Sequence, residues 1–492
     1  MLVKRIWTLA VALLAAGPLL ALQVYEVDTT VDGLLSACTA APGDCSLRGA
    51  ITAANNDGDD SQIILADEIY QLTSPGADEE FNASGDLDVR ASVEILAAAD
   101  ASPVIEQTVA DRVLDVQVSG GTFRMVGPIT ITGGQVVGLA TGGGIQDFLS
   151  GTFELEDVVL MGNQAVSDGG CLAYGGGSGT NLSLHRVTLT DCHSETNGGG
   201  ARVILAGATA QATITSSLVE GNTAYKRGGG LSVVSGGSVV ILDTTIRGNL
   251  AGHQSSSEGR GGGLYLSVDS GVLRQSTVSD NQAGVPTTTN AVGGGVAVEG
   301  TSSFLAENST ISGNRTDGTN QKGAGLRVSS ASATLDHTSV VDSPTQGMDA
   351  ISYFDPGGTS LTLKNSIIDG GCSGNINSIV SSGFNVERPW NGSTVTTCNL
   401  NNPSDLQVTD LMLWPLAGYG GPTYTHGLLP GSPAQSLVSS AQCQSEDQRH
   451  AVRQGLFCDS GAYDDSSTPP GPWIFEDGVE SGDTLAWSST VP

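Results

Sequence analysis

A motif of three small residues recurs along the middle of the chain, and its spacing constrains the fold more than any other feature. It occupies residues 142–144, 169–171, 198–200, 228–230, 261–263, 293–295 and 323–325, at intervals of 27, 29, 30, 33, 32 and 30 residues. Five copies are Gly-Gly-Gly; Cys171 ends one and Ala324 sits inside another. A second motif precedes most triplets: VLMGN (159–163), LVEGN (218–222), TIRGN (245–249), VSDN (278–281) and ISGN (311–314). These copies end in Asn163, Asn222, Asn249, Asn281 and Asn314, and in the remaining copy Cys192 takes the Asn register.

Between the markers lie short alternating runs such as SVVIL (238–242) and GLYLSV (263–268), the pattern of half-buried strands. A unit of ~30 residues with two or three such strands cannot bury its own inward face. Stacked units can, each strand pairing in parallel with its equivalent one turn away at ~4.8 Å, which predicts a parallel β-helix. A propeller would need units of ~40 residues and a recurrent aromatic signature. The Asn positions are expected at a corner that needs a left-handed residue, with their side chains stacked in a ladder. The glycines mark a second corner with little room for a Cβ.

Composition removes the other classes. The 68 glycines among 492 residues and an aromatic content of 5 % argue against a helical bundle. Acidic residues number 51 against 20 basic ones, giving a net charge of −31, so no basic surface is available for nucleic acid. A hydrophobic content of 39 % is that of a folded chain, not of an acidic disordered one.

Lys4 and Arg5 precede an apolar run over 6–16, then Gly17 and Pro18, so residues 1–21 read as a secretory signal peptide. No later stretch approaches the ~20 apolar residues of a membrane span. Eight cysteines in an exported chain imply four disulfides, and their order favours Cys38 with Cys45, Cys171 with Cys192, Cys372 with Cys398 and Cys443 with Cys458, among 105 connectivities.

Residues 45–56 (CSLRGAITAANN) form an amphipathic helix with Ser46 as N-cap, which would close the open N-terminal end of the stack. With residues 27–33 and 59–65 this segment resembles the CSLREA domain at the start of secreted bacterial β-helix proteins, Gly49 standing where that signature has Glu. Residues 365–369, 383–385, 414–434, 447–449 and 458–463 resemble, in order, the blocks of the choice-of-anchor C-terminal region, with His450 where Gly is usual and Gln454 where Pro is usual. The resemblance implies an all-β, right-handed, pectate-lyase-like solenoid with a short N-terminal capping helix. It also implies a secreted or cell-surface bacterial location. The expected organisation is a signal peptide (1–21), a cap and first coils (22–100), β-helix repeats (101–355), terminal coils with the choice-of-anchor-like region (356–465), and a linker and short tail (466–492).

Chemistry is harder to read. No register of acids or histidines forms a nucleophile or metal system, so no catalytic residue and no cofactor is assigned. The one metal reading is calcium on Asp57, Asp59 and Asp60. His426 is expected to be a buried hydrogen-bonding residue. The resulting expectation is a monomeric, non-catalytic, adhesin-like surface protein that binds glycans or cell-envelope components. The competing expectation is a polysaccharide lyase or glycoside hydrolase with carboxylates gathered in a lateral groove.

Overall fold

The computed structural model describes residues 22–58, 60–76, 81–138, 140–254, 256–341, 349–355, 357–389 and 396–467. The chain winds as a parallel β-solenoid. A first face contains strands such as Asn181–His185, Gln211–Thr215 and Ser238–Leu242; a second contains Thr188–Thr190, Leu218–Glu220 and Thr245–Arg247. Both belong to one 24-stranded sheet, because the long strands Thr122–Thr132 and Thr152–Met161 run through both faces. The third face is an 11-stranded sheet with Leu172–Gly176, Ala201–Leu205 and Leu231–Ser235. Pairs such as His193–Ser194 and Thr223–Ala224 make a six-stranded ribbon at the remaining corner. Along the axis, alternate residues of each strand stack as a dry core: Val203, Val233, Leu266, Val298 and Val328 from the third face meet Leu189, Val219, Ile246, Val278 and Ile311 from the second.

The glycine corner has the expected cause. An added Cβ at Gly229 would lie 2.3 Å from the carbonyl oxygen of Gly262, one turn away. The Asn corner needs a correction. The Asn residues are not left-handed; the residue before each one is, as at Gly221 (φ 67°) and Asp280 (φ 56°). Once that residue has turned the chain, the Asn side chain points inward and replaces strand pairing at the bend. Asn222 Nδ2 donates to Asn249 Oδ1 (3.0 Å), Asn249 Nδ2 to Asn281 Oδ1 (2.9 Å) and Asn281 Nδ2 to Asn314 Oδ1 (3.0 Å). A second ladder, of hydroxyls, runs between the first and second faces. Each backbone N–H in the series bonds the next turn's side chain: Ser217 to Thr244 (3.3 Å), Thr244 to Ser276 (3.1 Å) and Ser276 to Ser309 (3.3 Å).

Four disulfides join Cys38–Cys45, Cys171–Cys192, Cys372–Cys398 and Cys443–Cys458. The second replaces a contact made elsewhere by glycine and asparagine: a Cβ on Gly200 would lie 3.1 Å from Asn222 Nδ2, and one on Gly263 2.8 Å from Asn281 Nδ2. The double variant Cys171→Gly/Cys192→Asn is therefore expected to lose less stability in urea unfolding than Cys171→Ser/Cys192→Ser, which should cost about 3 kcal/mol. Equal losses would show that the disulfide does not substitute for the Gly–Asn contact.

Both ends of the described chain pack onto the stack. Helix α1 (Leu47–Asp57) is capped by Ser46, whose hydroxyl accepts from Gly49 N, and buries Leu47, Ile51 and Ala54. Arg48, 1 % exposed, bonds Asp32 (2.6 Å) and the carbonyls of Gly85 and Asp86 (2.8 Å each). A Cβ at Gly49 would sit 1.9 Å from Leu35 O, so this helix position admits glycine alone. At the other end, part of 411–467 lies against the second face. Thr310 Oγ1 meets Thr425 Oγ1 (2.9 Å), Ser312 Oγ meets His426 Nε2 (2.8 Å), and His450, left-handed at φ 60°, reaches Asp243 Oδ1 (2.7 Å).

Candidate functional site

Two residues past each triplet, the third-face strand turns one side chain away from the core. Strand register aligns these residues in one column: Ala173, Arg202, Ser232, Tyr265, Ala297, Arg327 and Ser352. One residue before the triplets a second column aligns Asn197, Arg227, Arg260, Val292 and Lys322. Four strand steps separate Arg202 from Arg327, about 19 Å at the usual parallel spacing. Sequence reasoning missed this site. Its signal was a fixed offset from the triplets, which becomes visible only once the solenoid register is known.

The columns join into one network in which Tyr265 (3 % exposed) and Arg327 (9 %) are buried while Arg227 and Arg260 are partly exposed. Arg260 binds Glu258 (Nε to Oε2, 3.0 Å) and Glu299 (Nη1 to Oε1, 2.6 Å), while Arg227 reaches Glu258 (3.1 Å) and stacks 5.3 Å from the Tyr265 ring centroid. The Tyr265 hydroxyl donates to Glu299 Oε2 (3.1 Å). At the two ends the arginines also bond serines: Arg202 Nη1 donates to Ser232 Oγ and Arg327 Nη1 to Ser352 Oγ, each 2.6 Å. Arg202 Nε is buried without a hydrogen-bond partner, 3.5 Å from Asp168 Oδ2.

Burial pushes the Arg202 and Arg327 guanidiniums below the ordinary arginine value, although both remain charged. Burial first, and then the Glu299 charge, pushes the Tyr265 phenol up to about 12, so at neutral pH it is a donor and not a base. The network holds four guanidiniums, from Arg202, Arg227, Arg260 and Arg327, against three carboxylates, from Asp168, Glu258 and Glu299. Poorly solvated planar cations with spare N–H groups are suited to a carboxylate, which they can grip with two parallel hydrogen bonds.

Carboxylates also gather further up the same column, where Asp88 and Asp115 precede Gln146 and Ala173. Ligand atoms of Asp86, Asp88 and Asp115 lie within 4.8 Å of one another. They form no open groove. The three residues are 5 %, 1 % and 7 % exposed; Arg112 Nε is 2.8 Å from Asp86, Asn82 N bonds Asp88 and Gln146 Nε2 bonds Asp115. Burial, and then Asp111, pushes Asp86 up to about 8, which lowers the charge this cluster must hold. A second group, Asp459, Asp464 and Asp465, belongs to the C-terminal segment, where Asp464 pairs with buried Arg453 (3.3 Å).

Of the three aspartates read for calcium, Asp57 accepts from Tyr25 OH (2.9 Å) and Ser61 Oγ (2.6 Å), Asp60 is exposed, and Asp59 lies outside the described residues. Residues 1–21, read as a signal peptide, and the tail from 468 also lie outside them. The corner residues Asn163, Asn222, Asn249, Asn281 and Asn314 are 4 % exposed or less and are structural. His426 is buried between Ser312 Oγ and the carbonyl of Trp414, to which its Nδ1 donates (2.8 Å).

No family model and no curated protein matches the chain. Two solved structures are similar to it. A pectate lyase matches at 13 % identity with a TM-score of 0.39, covering 90 % of this chain and 96 % of the lyase. The A-module of an Azotobacter vinelandii mannuronan C-5 epimerase matches at 16 % identity with a TM-score of 0.39, covering 74 % of this chain and 90 % of the module.

Proposed function

We propose that the chain is an exported surface protein that binds an acidic polysaccharide along its third face without cleaving it. The observation that carries this reading is the pair Arg202 and Arg327, in one column and held by serine hydroxyls. An anionic sugar chain lying along the solenoid axis would meet guanidiniums at both ends of the network and the Arg227–Tyr265–Arg260 group between them. Four disulfides, and the fact that no described helix is long and apolar enough to cross a membrane, fit export.

A hydrolase needs one carboxylic acid that donates a proton and a second carboxylate. Of the three carboxylates at this site, Glu258 and Glu299 are both gripped by Arg260, and Asp168 accepts from Asn197 N (3.1 Å) and Nδ2 (2.9 Å) beside Arg202, which favours binding over hydrolysis. A lyase needs a base, and Tyr265 is held as a phenol.

Calorimetric titration with oligogalacturonate is expected to show binding that weakens as salt is raised. The double variant Arg202→Gln/Arg327→Gln should bind at least about tenfold more weakly, the equivalent of ~1.4 kcal/mol, while circular dichroism still reports the folded solenoid. A neutral dextran should not bind. Equal affinity in the variant would overturn the assignment of the site, and release of unsaturated or reducing ends would overturn the non-catalytic reading.

A further inference from the structure

The C-terminal segment sets a disulfide against a buried histidine of the solenoid that the arginine site does not use. Cys458, on the strand Phe457–Cys458, is buried and bonded to Cys443, which is partly exposed. Its Sγ lies 3.6 Å from Nε2 of His337, a ring with no exposed surface. The other ring nitrogen, Nδ1, donates to Asp336 Oδ1 (2.8 Å), since a carboxylate can only accept. Asp336 is fixed in turn by Lys364 Nζ and Gln444 Nε2 on Oδ2 (2.9 Å each) and by Asn365 Nδ2 on Oδ1 (3.0 Å). A carboxylate, an imidazole and a sulfur therefore stand in sequence, with the sulfur held in a disulfide.

We propose that Cys443–Cys458 is a reactive disulfide that captures small thiols, forming a mixed disulfide at Cys443 and freeing Cys458 onto His337. The thiolate of the incoming molecule attacks the Cys443 sulfur, on the more exposed residue of the pair. A sulfur–sulfur bond forms there, the bond to Cys458 breaks, and its electron pair leaves on the Cys458 sulfur. The proton that the incoming thiol gave up is taken by His337 Nε2. The product is a thiolate–imidazolium pair backed by the Asp336 carboxylate. Exchange is faster when the leaving thiol has a low pKa, and a cysteine that faces an imidazole has one.

Burial first, reinforced by the Arg453 and Lys364 charges and opposed by Asp336, lowers the His337 pKa to about 4. The ring is thus neutral while the disulfide is intact, and its Nε2 lone pair faces the sulfur. The other disulfides lack this combination. Cys171, Cys192, Cys372 and Cys398 are all buried, which shuts out a thiol. Cys38–Cys45 also joins a partly exposed cysteine to a buried one. Cys45, however, follows Asp44, and its N–H donates to Asp28 Oδ1 (2.9 Å), so a thiolate released there would form beside carboxylates.

The test exposes the folded full chain to reduced glutathione, quenches in acid and maps the adducts by mass spectrometry. Glutathione is expected on Cys443, with Cys458 free, at least about tenfold faster than on Cys38 or Cys45, and His337→Asn should slow the exchange by at least about tenfold. This variant should fold, as circular dichroism would show, because Asn308 and Asn365 hold the same left-handed position one turn before and one turn after (φ 45° and 51°). After exchange, the ultraviolet absorbance of the thiolate should titrate Cys458 well below the usual cysteine range in the parent chain and within that range in His337→Asn. A histidine with a merely structural role would leave that titration unmoved. No adduct at Cys443, opening of Cys38–Cys45 at an equal rate, or an exchange rate and Cys458 titration unchanged in His337→Asn would overturn the proposal.

Discussion

Gly229→Val is expected to yield no folded protein, whereas Gly177→Val should fold with a nearly unchanged unfolding midpoint. The two glycines are alike in sequence terms, since each lies in a Gly-Gly-Gly run. Their surroundings differ. A Cβ at Gly229 meets Gly262 O at 2.3 Å and the backbone of Leu250 at 2.5–2.6 Å, whereas one at Gly177 meets nothing within 4 Å. The atoms in the way at Gly229 are backbone of the stacked turns, which no rotamer change can move. Relief requires two turns to separate, at a cost of more than about 4 kcal/mol, the range reserved for lost core or backbone integrity. Circular dichroism and the yield of soluble chain decide the matter. A Gly229→Val protein as stable as Gly177→Val would contradict the close stacking at this corner.

The second large effect is expected at Asn249. This side chain is 1 % exposed, and its Oδ1 accepts from both Asn222 N (2.9 Å) and Asn222 Nδ2 (3.0 Å). Its Nδ2 donates to Val219 O, Arg247 O and Asn281 Oδ1, each at 2.9 Å. Leucine preserves the volume and removes every one of these partners. With each stranded buried group costing about 1–3 kcal/mol, and some relaxation at the bend, Asn249→Leu should destabilise by about 3–5 kcal/mol. Asn320→Leu is the control, because its amide contact with Asn290 (2.9 Å) stands in water and should be worth less than about 1 kcal/mol. Urea unfolding monitored by fluorescence gives both values. Similar losses for the two would mean that the buried ladder is energetically idle.

The solenoid was legible in the sequence because its corners have strict requirements that few residues meet. Backbone contact admits glycine alone at Gly229, and an inward amide with a donor and an acceptor admits Asn at Asn222 and Asn249. The corner between the first and second faces was not legible. It is left-handed in every repeat, yet the residues there are Asp157, Arg186, Ser216, Asp243, Gln275 and Asn308, with φ between 45° and 56°. An αL residue whose side chain points away from the core tolerates many side chains, so nothing recurs to be seen. The hydroxyl ladder escaped notice for a related reason. Serine and threonine serve equally well at 217, 244, 276 and 309, and both are common elsewhere in the chain.

The arginine site lies between these cases. Each member is an ordinary outward residue of an ordinary strand, and Arg202, Tyr265 and Arg327 are 63 and 62 residues apart. Only the register, carried by backbone pairing from turn to turn, reveals that they share a column. At the Asn corner no acids align one turn apart, because Glu220 pairs with Arg247 (2.9 Å) across the second face. In that pair both carboxylate oxygens already accept from the guanidinium, at 2.9 and 3.0 Å. The side chains that set the chemistry are offset from the motif that sets the fold.

Arginine-selective labelling is the most direct test of binding along the third face. The full chain would be treated with phenylglyoxal in the presence and absence of oligogalacturonate, and the extent of modification at each arginine read by mass spectrometry. The account predicts that the sugar slows labelling at Arg202, Arg227, Arg260 and Arg327 and leaves the exposed Arg186 and Arg315 on other faces unchanged. Protection confined to Arg186 or Arg315, or no protection at any of the four, would contradict it.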